Sequence, residues 1–266
     1  MDYIVKNNNI IFSSADFELS ETLDCGQAFR WEECDGGYRG IALNRPLTIS
    51  KHGDEITLHD TSEEDFISFW NNYFDLDTDY GALKKLYSDD ETLRLACDFA
   101  GGIRLLRQDC WEALISFIIS QNNNIPRIKG IISRLCEMFD GFPTAKRLAV
   151  LTPDDLSPIR SGFRAKYIID AAKRVASGEI NTDELKTLPI ADARVKLMTI
   201  TGVGPKVAEC VLLYGCYRTE AFPVDVWIKR VMTDYYPEGF PEKYKETAGI
   251  AQQYLFHYIR KNNNKY

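Results

Sequence analysis

Lys206 stands at the start of a predicted helix, directly after a glycine-rich turn, in the stretch Thr201–Cys210 (TGVGPKVAEC). The placement is unusual because a helix N-terminus disfavours a cation, by about 0.3–1 kcal/mol. Pro205 suits the first helical position, where its missing N–H costs nothing. The exposed N–H groups from Gly202 to Gly204 are suited to a nucleic-acid phosphate. A solvated lysine after an ordinary turn would give the same pattern, so this stretch alone leaves both interpretations open.

The stretch fits neither common phosphate-binding loop. A Walker loop requires lysine directly after the last glycine, whereas Pro205 separates Gly204 from Lys206. A dinucleotide-binding turn requires a third glycine where Val207 stands. The turn therefore belongs to a different class.

An acidic residue, Asp225, lies in the extended segment Ala221–Val226, ahead of the next predicted helix. Aspartate is a preferred N-cap, so taken alone it indicates a structural role. The combination of turn, lysine and Pro-Val-Asp segment is more specific than any one of them.

Charge divides the chain into two parts. Residues 1–100 hold 21 acidic and 8 basic side chains, and residues 101–266 hold 18 and 24, giving −7 overall. The excess of cations thus falls where the turn and its lysine lie, which indicates that the two regions have different roles. The chain starts without the pattern of a secretion signal, and its seven cysteines form no C-x-x-C pair, so we expect a cytoplasmic protein with reduced thiols.

The sequence predicts an α+β fold, because strand patterns precede helix patterns. Two hairpins are predicted, with turns at 35–37 and 52–54, and a helix start follows at 61–65. The predicted helices cover 62–74, 79–99, 107–121, 125–139, 144–160, 164–177, 181–199, 205–216, 226–235 and 241–262. We expect an antiparallel sheet domain with flanking helices at residues 1–100 and a helical domain at 101–266.

These features resemble the helix-hairpin-helix glycosylase superfamily of base-excision DNA repair. Further segments, in the family's order and along nearly the whole chain, narrow the resemblance to the 8-oxoguanine DNA glycosylases. They are Cys25–Trp31 (CGQAFRW), Gly102–Asp109 (GIRLLRQD), Ser120–Arg127 (SQNNNIPR), Gly162–Tyr167 (GFRAKY) and Ala251–Phe256 (AQQYLF). The resemblance implies that the sheet domain packs on a mostly α-helical helix-hairpin-helix (HhH-GPD) domain.

The resemblance also implies the catalytic roles. Lys206 would attack the sugar C1′, displace the base and form a Schiff base, after which β-elimination cleaves the strand. Asp225 would stabilise the positive charge that develops on the sugar. The hairpin, with Gly202 and Gly204, would grip the DNA backbone.

Four residues would recognise the flipped base. The carbonyl of Gly26 would accept the N7–H that 8-oxoguanine carries and guanine lacks, and Gln252 would bind the Watson–Crick edge. Phe256 and Cys210 would sandwich the base. Without the resemblance, Gly26 is explained as a glycine that starts a strand, and Phe256 and Cys210 as core residues.

Four more residues would act on the opposite strand. Asn122 would fill the space that the flipped base leaves, Arg127 and Arg164 would donate to the orphaned cytosine, and Phe163 would wedge beside the lesion. A helix–helix turn and surface charges explain the same residues without DNA. Three positions depart from the usual family pattern: Thr201 replaces proline, Phe163 replaces tyrosine and Trp227 replaces histidine.

The resemblance implies no required cofactor. Backbone carbonyls of Met198, Ile200 and Val203 would hold a structural monovalent cation at the hairpin. An iron–sulfur cluster is not expected, because that branch needs four cysteines near its C-terminus and none follows Cys216.

The expected partner is double-stranded DNA that contains 8-oxoguanine, preferably opposite cytosine. We expect a prokaryotic, cytoplasmic monomer that acts on the nucleoid and not on a membrane. Two alternatives stay open: a non-catalytic helix-hairpin-helix module that only binds DNA, and a glycosylase for other damaged purines.

Overall fold

The computed structural model describes residues 2–263, which form a six-stranded sheet and a set of helices. The strands are β1 Tyr3–Lys6, β2 Asn9–Ser13, β3 Trp31–Cys34, β4 Gly37–Ala42, β5 Arg45–His52 and β6 Glu55–His59. Their order across the sheet is β1-β2-β6-β5-β4-β3. This sheet followed by helices confirms the α+β prediction, and both predicted hairpins form, as the β3–β4 and β5–β6 pairs.

Thirteen α-helical segments occur within residues 2–263. They are α1 Leu19–Leu23, α2 Glu63–Asp65, α3 Asn71–Tyr73, α4 Tyr80–Tyr87, α5 Glu91–Phe99, α6 Cys110–Ser120, α7 Ile125–Phe139, α8 Ala145–Ala149, α9 Arg164–Ala176, α10 Ile190–Met198, α11 Pro205–Cys210, α12 Val226–Asp234 and α13 Ala248–Asn263. Five π or 3-10 turns extend or join them: Phe66–Trp70, Ser157–Ile159, Glu184–Lys186, Val211–Gly215 and Glu242–Thr247. No helix within residues 2–263 is long and apolar enough to cross a bilayer.

The chain folds into two compact units, and these do not follow the expected division near residue 100. Residues up to 41, 45–107 and those from 224 onward form unit 1, whereas 42–44 and 108–223 form unit 2. The C-terminal helices join unit 1 because α13 packs against α5 and α12. A hydrogen bond of 3.0 Å from the Tyr87 hydroxyl to the Thr247 carbonyl joins the same parts of the chain.

Three helix predictions were too long, in each case for a local reason. The segment predicted at 79–99 splits because Asp90 caps a new helix, its carboxylate accepting from the Leu93 N–H at 2.9 Å. The segment at 181–199 breaks at Pro189, after which α10 begins. Past Ala149 the segment at 144–160 contains only one 3-10 turn, at Ser157–Ile159. The prediction for 125–139 matches α7.

An extended segment at 104–107 runs through the interior of unit 1 without joining the sheet. Its N–H groups are bonded by groups from elsewhere in the unit, as buried backbone donors require. Arg104 N–H donates to Thr22 Oγ1 at 3.1 Å, Leu105 N–H to the Tyr80 hydroxyl at 2.8 Å, and Leu106 N–H to Gln27 Oε1 at 2.9 Å. Side chains from elsewhere in unit 1 therefore accept the N–H groups that a neighbouring strand would otherwise bind.

One buried carboxylate, Asp75, holds the end of that segment. Its Oδ1 accepts two hydrogen bonds from the Arg107 guanidinium, at 2.6 and 2.9 Å, and its Oδ2 accepts from the Tyr80 hydroxyl at 2.8 Å. Asp75 is 1% exposed. A buried charge with this many partners is costly to leave half-paired.

Replacing Asp75 with alanine should therefore strongly destabilise the protein. We expect the free energy of unfolding to fall by about 3 kcal/mol, because the Arg107 charge loses its buried partner. Urea denaturation measures the change. The matched control is Asp98→Ala, which removes an exposed ion pair to Arg94 and should leave the midpoint nearly unchanged. Equal effects of the two substitutions would contradict the assignment.

Candidate DNA-repair active site

The hairpin that carries Lys206 consists of α10, a turn at 199–204, and α11. Gly202 has φ of +80°, and a Cβ there would lie 2.4 Å from the Tyr167 ring, so only glycine fits. Gly204 differs, because a Cβ there would meet no described atom within 4 Å. The absent side chain at Gly204 therefore leaves the start of α11 open, and no side chain of the described residues caps that helix.

Lys206 lies on the first turn of α11 and is half-buried. Its Nζ is 5.5 Å from the centre of the Phe117 ring, which stacks on Tyr214 at 5.1 Å. No ion pair or hydrogen bond joins the amine to any residue in the described range. Cys210, buried one turn later, shares this face of α11. The lysine is thus held against an aromatic surface and forms no ion pair with an acidic residue of the described range.

A carboxylate on α9 anchors the hairpin turn. The N–H of Thr201 donates to Asp170 Oδ2 at 2.7 Å, and Arg174 Nε donates to the same oxygen at 3.1 Å. Burial alone would raise the pKa of Asp170, but these hydrogen bonds and the arginine charge lower it below its ordinary value. A proline at position 201 has no N–H to donate. Threonine in place of the usual proline thus supplies a contact that proline cannot make.

Asp225 is the N-cap of α12, as its residue type indicates. Its Oδ1 accepts from the N–H groups of Trp227 and Ile228, at 3.0 and 2.9 Å. Both bonds use one oxygen, and Oδ2 receives no hydrogen bond from the described residues. The capping role therefore leaves one carboxylate oxygen for chemistry, and the two predicted roles are compatible.

The residues predicted to act on the opposite strand come together in unit 2. Asn122 is exposed, at φ of +47°. Arg164 donates through Nε to the Gln121 carbonyl at 2.9 Å and through its terminal nitrogens to the carbonyls of Asn122 and Ser161, both at 3.2 Å. Its guanidinium also lies 4.4 Å from the Phe163 ring centre, and that ring is 49% exposed.

The two arginines of this group differ in availability. Arg164 is 3% exposed, and burial together with the charge of Arg127 lowers its pKa. Arg127 is exposed and makes no side-chain bond to a described residue other than this electrostatic contact. Arg164 therefore holds the backbone at Asn122, and its donors are already bonded in this structure. This differs from the sequence-based expectation that Arg164 donates to the opposite base. Arg127, in contrast, presents free donors.

The predicted base-recognition residues Gly26, Gln252 and Phe256 belong to unit 1, as does Asp225, while Lys206 and Cys210 belong to unit 2. Gly26 has φ of +93° and lies outside the strands, so the explanation as a strand-start glycine is wrong. Gln252 and Phe256 are one turn apart on α13, with Gln252 3% exposed.

Sequence reasoning missed several residues that hold these groups in place. They are Asp170 at the hairpin, Gln27 beside Gly26, and Glu209, whose carboxylate binds Arg194 and accepts the Phe222 N–H at 2.8 Å. Gln27 could have been found within the segment that carries Gly26. Nothing in the spacing pairs Asp170 with Thr201, because they are 31 positions apart. No group of three or more metal-binding side chains occurs in the part of the chain that the structure describes.

Comparisons with known proteins agree with this geometry. Residues 9–114 match the N-terminal domain of 8-oxoguanine DNA glycosylase, and residues 115–255 match the HhH-GPD superfamily of base excision DNA repair proteins. A probable N-glycosylase/DNA lyase of Methanothermobacter thermautotrophicus is 30% identical, over 93% of this chain and 95% of its own.

Two solved structures are more similar. The structure of MBOgg1 in complex with a low affinity DNA ligand is 43% identical, has a TM-score of 0.93 and covers 99% of this chain and 100% of its own. An 8-oxoguanine glycosylase/lyase of Clostridium acetobutylicum, in complex with double-stranded DNA containing cytosine opposite 8-oxoguanine, is 38% identical, with a TM-score of 0.90 and the same coverage.

The fold, the hairpin lysine and these matches define a helix-hairpin-helix enzyme of base excision DNA repair. Within that class, the chain belongs to the 8-oxoguanine DNA glycosylase family of bifunctional N-glycosylase/DNA lyases. The alternative of a non-catalytic DNA-binding module is thereby excluded.

The Asp170 contact generates a prediction about DNA binding. Asp170→Ala should weaken binding of a duplex with an uncleavable abasic-site analogue by about tenfold, because a hydrogen bond to a charged group no longer orders the turn. Asp170→Asn, which keeps an acceptor, should bind nearly normally. Fluorescence anisotropy at fixed salt measures both.

A Thr201→Pro background gives the matched control, since that residue cannot donate. There Asp170→Ala should change affinity little. Unaltered or tighter binding by Asp170→Ala in the parent would instead mean that removing a negative charge near the DNA matters more than the anchor.

Proposed function

We propose that this protein excises 8-oxoguanine from double-stranded DNA, preferably opposite cytosine, with Lys206 as the nucleophile. The observation that carries the proposal is the placement of Lys206 directly after the hairpin turn and its open end at Gly204, against Phe117 and without an ion pair to an acidic residue of the described range. An amine that is not engaged in an ion pair is available to attack an electrophilic carbon. The N–H groups of Gly202 and Gly204 are suited to donate to the adjacent phosphate, whereas that of Val203 is already bonded to the Ile200 carbonyl.

The reaction proceeds in two stages. The Lys206 amine attacks the sugar C1′ as the bond to the base breaks, and the base leaves with the bonding electrons. Loss of a proton and opening of the sugar ring give the Schiff base. Removal of a proton from C2′ then breaks the C3′–oxygen bond by β-elimination. The free Oδ2 of Asp225 stabilises positive charge on the sugar during the first stage.

We assign recognition of the base to four residues. The Gly26 carbonyl accepts the N7–H, Gln252 pairs with the Watson–Crick edge, and Phe256 and Cys210 provide contact surfaces for the base. An enzyme that acts on a base must take it out of the duplex. The exposed side chains of Asn122 and Phe163 are suited to the space the base leaves, because one can hydrogen-bond there and the other can separate a base step.

We further propose that the protein is a cytoplasmic, nucleoid-associated monomer of a prokaryote that requires no cofactor. Carbonyls of Met198, Ile200 and Val203 would hold a monovalent cation between the hairpin and a phosphate. The Ile200 carbonyl already accepts the Val203 N–H at 3.0 Å, and its second lone pair can face a cation. Duplex affinity should then be higher in potassium than in tetramethylammonium chloride of the same ionic strength.

Covalent trapping tests the nucleophile. Incubation with an 8-oxoguanine duplex and borohydride should join the parent protein to DNA, and Lys206→Gln should abolish this while leaving duplex binding largely intact. Lys166→Gln is the matched control, because Lys166 Nζ also lies over an aromatic ring, 5.3 Å from the centre of the Tyr167 ring. Trapping that survives Lys206→Gln would place the nucleophile elsewhere.

The opposite base tests the arginines. Arg127→Ala should flatten excision rates across duplexes that pair 8-oxoguanine with each of the four bases, because it removes the available donors. Arg164→Ala, in contrast, should lower the melting temperature of the protein, since Arg164 binds the carbonyls of Gln121 and Asn122. If Arg127→Ala kept the full cytosine preference, Arg127 would not be the group that recognises cytosine.

A further inference from the structure

The loop that carries Gly26 is hydrogen-bonded to α13 through a thiol. Gln253 Nε2 donates to Cys25 Sγ at 3.3 Å, and both residues are 2% exposed. Cys25 directly precedes Gly26, and Gln253 directly follows Gln252. One buried contact therefore joins the immediate neighbours of the two groups proposed to read the base. All four residues belong to unit 1.

The thiol also bonds in the other direction. Cys25 Sγ donates to the Thr22 carbonyl at 3.3 Å, which requires that it stays protonated. Burial raises the pKa of Cys25 to about 11, so the thiol keeps its proton at neutral pH. A chain of hydrogen bonds thus runs from the Gln253 amide through the Cys25 thiol to the Thr22 carbonyl.

Gln27, which directly follows Gly26, fixes the other end of this loop. Its Nε2 donates to the carbonyls of Thr22 and Arg104 at 2.9 and 2.8 Å, and its Oε1 accepts the Leu106 N–H at 2.9 Å. Gln27 is 1% exposed. It ties the loop to the interior segment 104–107, whereas Cys25 ties it to α13.

Gly26 itself cannot fix the direction of its carbonyl. Glycine at φ of +93° has no side chain to restrict its backbone, so its orientation depends on its neighbours. Gln27 holds Gly26 relative to the unit's interior. The Cys25–Gln253 bond holds Gly26 relative to the helix that carries Gln252.

We propose that Cys25 and Gln253 are a positioning pair that sets the placement of the Gly26 carbonyl relative to the Gln252 amide, and thereby the discrimination of 8-oxoguanine from guanine. This rests on the proposed function of those two groups. The two bases differ at N7, where one hydrogen bond is made or not made. Such a bond weakens steeply with angle and distance, so a small displacement of the carbonyl removes much of the difference.

A double-mutant cycle tests the pair. Gln253→Met keeps the length of the side chain without its donor, and Cys25→Ala removes the acceptor. Excision from duplexes with 8-oxoguanine or guanine opposite cytosine gives the ratio of kcat/KM values. Each variant should lower this ratio by about fivefold to tenfold, and the double variant should lower it no further, because both remove the same contact.

Two controls separate positioning from general damage. Cleavage at a preformed abasic site needs Lys206 but no base, so its rate should stay within about twofold in both variants. Cys97→Ala removes another buried thiol of unit 1, on α5 and 5% exposed, and should leave the ratio unchanged even if it lowers stability.

Three results would overturn the proposal: an unchanged ratio in either single variant, additive effects in the double variant, or an equal fall in abasic-site cleavage. Gly26→Ala distinguishes this failure from failure of the proposed function. At φ of +93° alanine is strained, so the substitution should displace the carbonyl and lower the ratio. If Gly26→Ala lowers the ratio and Gln253→Met does not, only the positioning pair is wrong. If Gly26→Ala has no effect, reading by Gly26 is wrong.

Discussion

The close approach of Gly202 to the Tyr167 ring is the constraint on which the hairpin that carries Lys206 depends. A Cβ at position 202 would overlap that ring, so the turn can pack on α9 only because it has no side chain there. With the turn seated, the Thr201 N–H reaches Asp170, and α11 starts at Pro205 with Lys206 on its first turn. Lys206 thus owes its position to a residue on a different helix, 39 positions earlier in the sequence.

Side chains that could serve chemistry here also serve structure. Asp225 uses one carboxylate oxygen to cap α12 and keeps the other. Asn122 adopts the left-handed conformation that asparagine tolerates, while its neighbour Asn124 caps α7 by accepting the Arg127 N–H at 3.0 Å. In Asp225 one oxygen secures the backbone, so the other oxygen is held in a defined position. Such preorganisation is what a site must have before the substrate arrives.

Patterns within a short window of sequence predicted the elements well. Helix α7 was predicted to its ends because Asn124 caps it, Pro126 lies in its first turn and its apolar spacing is regular. Residue type and spacing singled out Lys206 and Asp225, and the catalytic roles implied by the family resemblance stay predictions. Longer helices were overestimated where a second cap or a proline interrupts an apolar pattern that continues, as at Asp90 and Pro189.

Contacts between distant positions could not be predicted, because no periodicity relates the partners. Asp170 lies on α9, whereas Thr201 lies in the turn after α10. Cys25 and Gln253 lie 228 positions apart. The hydrogen bonds from Arg164 to the carbonyls of Gln121 and Asn122 also join distant positions and could not be predicted from the sequence pattern. The residue type of Arg164 indicated a donor for DNA, but only the fold shows that its donors are already bonded.

The high pKa of the Cys25 thiol has a consequence for how long the enzyme survives in the conditions that create its substrate. Peroxides attack thiolates and scarcely touch protonated thiols that solvent cannot reach. With a pKa of about 11 and 2% exposure, Cys25 is shielded from sulfenic acid formation. Peroxide that oxidises exposed thiolates should therefore leave this buried thiol, and the loop beside Gly26, unaltered.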